Sequence, residues 1–156
     1  MAAEAFGMRV VRVRIGVVLD PRGGALQRML TPFRMGLGGR LGDGKQWMPW
    51  IHLADLAEMF QFAVENDVRG PLNGVAPIPV TNADFTQTLA RTLHRPAILP
   101  VPSFGLKLLF GEMSEILLGS QRAQPAAAEA AGFKFRFPEL GGAWQDLLGQ
   151  SAPAPG

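Results

Sequence analysis

One stretch constrains this chain more than any other. From Arg9 to Leu19, Val11, Val13 and Ile15 alternate with Arg12 and Arg14 before an apolar end at Val17-Val18-Leu19, the period-two pattern of a β-strand. A lone strand leaves its backbone N–H and C=O groups unpaired, so it has to join a sheet. The flanking patterns are helical. Leu26, Met29, Leu30 and Phe33 fall at i, i+3, i+4 and i+7, one face of a helix bent by Pro32. A second helix is expected from Ala54 to Glu65, with Leu56, Met59, Phe60 and Ala63 on its buried face and Asp55 in the first turn, where a carboxylate suits the helix dipole. After Gly70-Pro71, Leu72 to Ala76 reads as a short strand. Strands alternating with helices place the chain in the α/β class.

The remaining elements follow from local chemistry. Ala2 to Gly7 reads as the last turns of a helix ended by glycine. Thr81-x-x-Asp84 is a capping box with Asp in the place of Glu or Gln, opening a helix that carries Phe85, Leu89 and Leu93 to a stop at Pro96. Ile98 to Val101 is an expected strand, and Ser103 an expected cap for an apolar helix over Phe104–Phe110. Pro125 to Ala131 is an alanine-rich helix closed by Gly132. Phe133-Lys134-Phe135-Arg136-Phe137 alternates as a half-buried strand, and Pro138 is placed as the first residue of a helix running to Leu148. Residues 151–156 read as a disordered tail.

Composition excludes several classes. The chain has 156 residues, 47% apolar and 18% charged, which suits one soluble domain. No apolar run approaches the ~18 residues of a membrane span, and no secretory signal pattern is visible; a cytoplasmic location is the expectation. The pI of about 9.7 overstates the basicity. With no Tyr or Cys and a formal charge of only +2, little titrates between His and Lys. The cations are dispersed, which argues against nucleic acid as a partner. Without Cys there is no disulfide, thiolate nucleophile or cysteine-ligated metal. Without Tyr there is no phenolic acid or base.

The run from Gly36 to Gly44 does not satisfy G-x-G-x-x-G, because Leu41 stands at the third glycine position. It also follows a helix rather than a strand, so tight turns between short strands are its expected use. It leads into Gly42-Asp43-Gly44-Lys45-Gln46-Trp47-Met48-Pro49-Trp50-Ile51-His52-Leu53-Ala54-Asp55, which holds two of the three tryptophans and one of the two histidines.

That order, Gly-x-Gly-x-Gln, an aromatic, then Ile-His-x-x-Asp, resembles the substrate-side segment of extended short-chain dehydrogenase/reductases. Further runs strengthen the resemblance: Arg12-Val13-Arg14-Ile15-Gly16-Val17-Val18-Leu19, Gly24-Ala25-Leu26, Pro32 to Gly39, Leu72 to Pro77, Thr81 to Phe85, and Gly132 through Leu140. Over residues 2–149 they are similar to one branch, the epimerase family proteins, which end in a domain of unknown function. The resemblance implies the later part of a Rossmann-type fold plus its substrate-side α/β subdomain, with the first half of such an enzyme missing. It divides the chain into a late Rossmann helix end and strand (1–22), a substrate-side segment with the last sheet elements (23–96) and a C-terminal subdomain (97–150).

The resemblance implies NAD(P) as cofactor of the complete protein, NADP slightly favoured, and not bound tightly by this chain alone. The glycine-rich first turn and the Tyr-x-x-x-Lys helix of the superfamily are both lacking, so no catalytic residue is expected within the chain. Arg14, Gly16 and Val17 match the strand end that lies against the nicotinamide. Equally, Gly16 suits close backbone packing and Arg14 a surface charge. Nucleotide-sugar epimerases carry a diphosphate-gripping arginine where this chain has Met48, and a thioether cannot neutralise a diphosphate. A smaller or more apolar ligand is implied, held by Trp47, Met48, Trp50 and His52. His52 has a second reading as a structural partner at a helix start, and Trp47 and Trp50 as core. His52 and Asp55 lack a third ligand, so no metal is expected. His94 suits a helix C-terminus.

Two functions stand at this stage. One is the substrate-side half of an NAD(P)-dependent oxidoreductase or epimerase-like protein. The other is a non-catalytic module that binds a ligand or partner. Its partners would be the missing Rossmann half, a second copy through the exposed strand edge, or a small molecule.

Overall fold

A computed structural model of the chain describes residues 5–98, 100, 101, 105, 111 and 119–149. In chain order the elements are β1 (Val11–Ile15), β2 (Val17–Leu19), α1 (Gly24–Arg34), β3 (Trp47–Met48), β4 (Trp50–His52), α2 (Leu53–Glu65), β5 (Gly70–Gly74), β6 (Val80–Thr81), α3 (Asn82–Leu93), α4 (Ala126–Ala130) and α5 (Leu140–Leu147). The α/β class holds.

The long strand pattern is real but divided. At Gly16 its partner changes: β1 runs parallel to β5, Val11 opposite Gly70 and Ile15 opposite Gly74, whereas β2 runs parallel to β4, Val17 opposite Trp50 and Leu19 opposite His52. Three backbone bonds knit the exchange. Gly16 N donates to Gly74 O at 3.1 Å, Val17 N to Pro49 O at 2.7 Å, and Ala76 N to Trp50 O at 2.6 Å. A Cβ on residue 16 would lie 2.7 Å from Pro49 O and 3.0 Å from Val75 Cγ1. Only glycine lets the passages approach so closely.

Side chains alternate across this junction and separate two cores. Leu19 and Trp50 enter one with Leu26, Met29, Leu30 and Phe33 of α1, Phe85 and Leu89 of α3, and Trp144 of α5. Ile51 enters the other with Leu56, Met59 and Ala63 of α2, Leu72, Ala128 and Phe133. The capping box at Thr81 forms as read, with Asp84 N donating to Thr81 Oγ1 and Thr81 N to Asp84 Oδ2. His94 ends α3 in the left-handed conformation at φ 53°.

Several expectations change. Phe60 is 45% exposed. The buried stripe of α2 is turned toward Asp55, Leu56, Met59 and Ala63, and Phe62 rather than Phe60 meets the edge of Phe133, ring centroids 5.4 Å apart. Phe133–Phe137 is no strand, although Phe133 is buried while Lys134 and Arg136 are exposed. Its N–H groups at Arg136 and Phe137 go to the Asp55 carboxylate, at 2.8 and 3.0 Å, in place of a ladder. The last helix begins at Leu140, two residues beyond Pro138. The Leu72–Ala76 strand is registered earlier, at Gly70–Gly74. Among the described residues of Ile98–Val101 there is one parallel bridge, Val101 to Leu41. Between Gly36 and Gly44 there are turns and that one bridge rather than paired strands. The Ser103 cap with its helix, and the tail 151–156, lie outside the described residues.

Candidate functional site

The carboxyl ends of β1 and β5 open on a cleft, and Gly16 forms its floor. In parallel sheets, ligand crevices lie beyond the carboxyl ends of strands, and the carboxyl ends of β1 and β5 meet beside Gly16. Two chambers meet here. One, of about 720 Å³, is lined by Ile15, Gly16, Val17, Val18, Ala25, Met48, Pro49 and residues 119–121. The other, of about 470 Å³, is lined by Arg14, Gly16, Pro49, Asn73, Val75, Gln121 and Arg122. The first is mainly apolar, and the second carries two guanidinium groups.

Residues 119–124 pass as a strap between the chambers and are pinned at three points. Trp47 N donates to Ser120 Oγ at 3.1 Å. The Arg122 guanidinium sits 4.9 Å from the centre of the Trp47 ring. Asn73 Nδ2 donates to Gln124 O at 3.0 Å.

The cleft brings together Arg14, Gly16, Val17 and Met48. Trp47 stands at its margin, under Arg122. Trp50 and His52 lie elsewhere. Trp50 is 1% exposed and belongs to the first core. His52 is the N-cap of α2: its Nδ1 accepts from Ala54 N at 3.0 Å. The ring proton therefore sits on Nε2 and faces Asp146 Oδ2 at 3.2 Å. The imidazole also stacks on Phe137 at 4.0 Å, so it joins β4, α2 and α5. Asp55, one turn on, is fully buried and serves the backbone of 136–137.

Asp20, just past β2, is held by Arg22, whose Nε lies 3.0 Å from Oδ1 and Nη2 3.1 Å from Oδ2. These hydrogen bonds lower the Asp20 pKa below the usual carboxylate range. The sequence reading missed Asn73, Gln121 and Arg122. A polar Asn inside an otherwise apolar strand was a usable signal; nothing near Gln121 or Arg122 announced them, because the strap meets the cleft only through the fold.

The mouse epimerase family protein SDR39U1 is 49% identical over 142 residues, covering 90% of this chain and 48% of the relative. The chain belongs to the epimerase family proteins. A family model described as a domain of unknown function (DUF1731) matches residues 101–147. The crystal structure of human SDR39U1 (isoform 2) with NADPH superposes at a TM-score of 0.83, with 47% identity over 89% of this chain and 48% of that one. A nucleoside-diphosphate sugar epimerase from Corynebacterium glutamicum follows at a TM-score of 0.74, with 36% identity over 95% of this chain and 28% of that one. The fold is thus part of a Rossmann-type short-chain dehydrogenase fold, and the chain spans about half the length of the curated family members it matches. No helix among the described residues is long and apolar enough to cross a membrane.

Proposed function

We propose that this chain forms the substrate-side half of an NAD(P)-dependent oxidoreductase or epimerase-like protein whose substrate is not a nucleotide sugar. The observation that carries this reading is the cleft at Gly16, where two parallel pairings exchange beside Arg14, Val17 and Met48. The NADPH complex of the human relative supports the cofactor class. When bound, the cofactor donates or accepts hydride at the nicotinamide C4.

The residues present fit one end of a dinucleotide. Ile15, Gly16 and Val17 offer a flat, largely apolar floor for a nicotinamide ring, and Arg14 an accessible cation. The sequence carries no G-x-G-x-x-G turn to cradle a pyrophosphate. The chain's own contribution is to seat the ligand and exclude water. Met48 and Pro49 close one wall, and the strap covers the opening. With Met48 where an arginine would grip a diphosphate, the wall suits an apolar body.

Catalysis then depends on a complementary Rossmann half. The test is NADPH binding and turnover by the chain alone and after co-expression with the complementary half of the human relative. Alone, the chain is expected to bind NADPH weakly and turn nothing over. With its complement, binding should tighten, and Arg14→Gln should weaken it. If the complement restores neither assembly nor binding, the chain is better read as a module that binds a partner without catalysis.

A further inference from the structure

The two chambers differ in chemistry, and of the two cations in the smaller one the cofactor reading uses only Arg14. Arg14 and Arg122 both line the smaller one, and among the described residues no Asp or Glu lines either chamber. Among the described residues the Arg14 side chain has neither a hydrogen-bond nor an ion-pair partner. Arg122 is held by the face of Trp47, a contact that orients the guanidinium while leaving its N–H fork free of a carboxylate among the described residues. Two guanidinium groups in a concave site without a counter-charge set up a positive potential, focused further by the low-dielectric walls. The adjoining chamber has no such charge. Ile15, Val17, Val18, Ala25, Met48 and Pro49 give it an apolar lining. The chambers share Ile15, Gly16, Pro49 and Gln121, so one molecule reaches both.

We infer that the ligand of this cleft is an amphipathic organic anion, its oxyanion head held between Arg14 and Arg122 and its apolar body lying in the larger chamber against Val17 and Met48. The assignment rests on the reading that the Gly16 cleft is the ligand site, and it names the ligand's class. Arg122 acts as a specificity determinant. A guanidinium meets a carboxylate or phosphate with two parallel N–H···O bonds, whereas a neutral hydroxyl of the same body gains little from it. Trp47 has a supporting role, because its ring and its N–H bond to Ser120 hold the strap that carries Arg122.

The test is calorimetric titration of the 156-residue chain with decanoate, decyl phosphate, decanol and NADPH, repeated on Arg14→Gln and Arg122→Gln. Both side chains are exposed, so neither substitution threatens the fold, which circular dichroism confirms in parallel. One or both decyl anions should bind about tenfold tighter than decanol, the worth of one charge-assisted pair. Each variant should erase that preference while leaving decanol unchanged. Which anion gains more tells a carboxylate head from a phosphate head. Equal affinity for all three decyl compounds overturns the anion assignment and leaves the cleft reading standing. If only NADPH responds to the two variants, the arginines serve cofactor phosphates and the inference falls. If no decyl compound binds, the inference falls together with the cleft reading on which it rests.

Discussion

Asp55 sits at the first turn of α2 with no exposed surface, and its carboxylate binds the backbone N–H groups of Arg136 and Phe137. Asp55→Ala leaves two part-buried donors without their acceptor and a void at a fully buried site, and should destabilise the chain by about 2 kcal/mol, read from the urea midpoint. Asp55→Asn keeps one acceptor oxygen and should recover part of the loss; an unchanged midpoint in the alanine variant would contradict this role. At Gly16 the constraint is steric. Gly16→Val pushes a side chain into the Pro49 carbonyl, only 2.7 Å from the Cβ position, and should cost about 1–3 kcal/mol while distorting the cleft floor. The sequence singled out both residues, Asp55 for its dipole position and Gly16 for close packing. Their partners lay far along the chain, at 136–137 and at 49, and no local pattern names them. Arg9 is similar: its guanidinium donates to the carbonyls of Val64 and Val68 at 2.8 and 3.0 Å, capping the C-terminal end of α2 from the chain's opposite side. Asp20 gives a pH signature. Its pKa is lowered by the hydrogen bonds from Arg22, so the stabilisation is present above the ordinary carboxylate pKa and is lost as pH falls through the lower folded value. A carboxyl NMR titration should find Asp20 below about 3.9 and find it raised in Arg22→Gln.

At the scale of elements, the helices were legible because their signals are local. The i, i+3, i+4 spacing of Leu26, Met29, Leu30 and Phe33 predicts α1, and Thr81 with Asp84 predicts the start of α3 to the residue. Thr81→Ala should lower stability by about 1 kcal/mol. His52 caps α2 and stacks on Phe137, so His52→Ala should cost about 2 kcal/mol. His52→Asn, which retains the cap, should cost less. Thermal melts of the pair separate the cap from the stack, and equal losses would show that the cap contributes nothing. Strands were less legible. The clean alternation of Phe133–Phe137 reports burial, and burial alternates whether or not a neighbouring strand accepts the N–H groups. Here a side-chain carboxylate takes two of them.

For the whole molecule, the exposed strand edge matters most. Among the described residues β1 has one ladder partner, β5, and large apolar side chains are exposed nearby: Phe6, Met8 and Ile15. An open edge beside apolar surface promotes pairing with another chain. Light scattering of the purified chain should therefore show a mass that grows with concentration, and co-expression with a complementary Rossmann half should suppress the growth. A monodisperse monomer at high concentration would argue against an incomplete sheet.

By itself the sequence determined the α/β class, the positions of α1, α2 and α3, the family resemblance and the four residues Arg14, Gly16, Val17 and Met48 that line the cleft. These follow from short-range periodicity, capping chemistry and motif order, all written in adjacent residues. Only the tertiary structure decided that the long strand changes partner at Gly16, that Trp50 and His52 turn inward to core and cap, and that Asn73 and Arg122 reach the cleft. Those outcomes depend on which distant groups satisfy a backbone N–H or fill the space beside a glycine, and pairing over 33 to 94 residues leaves no trace in local pattern.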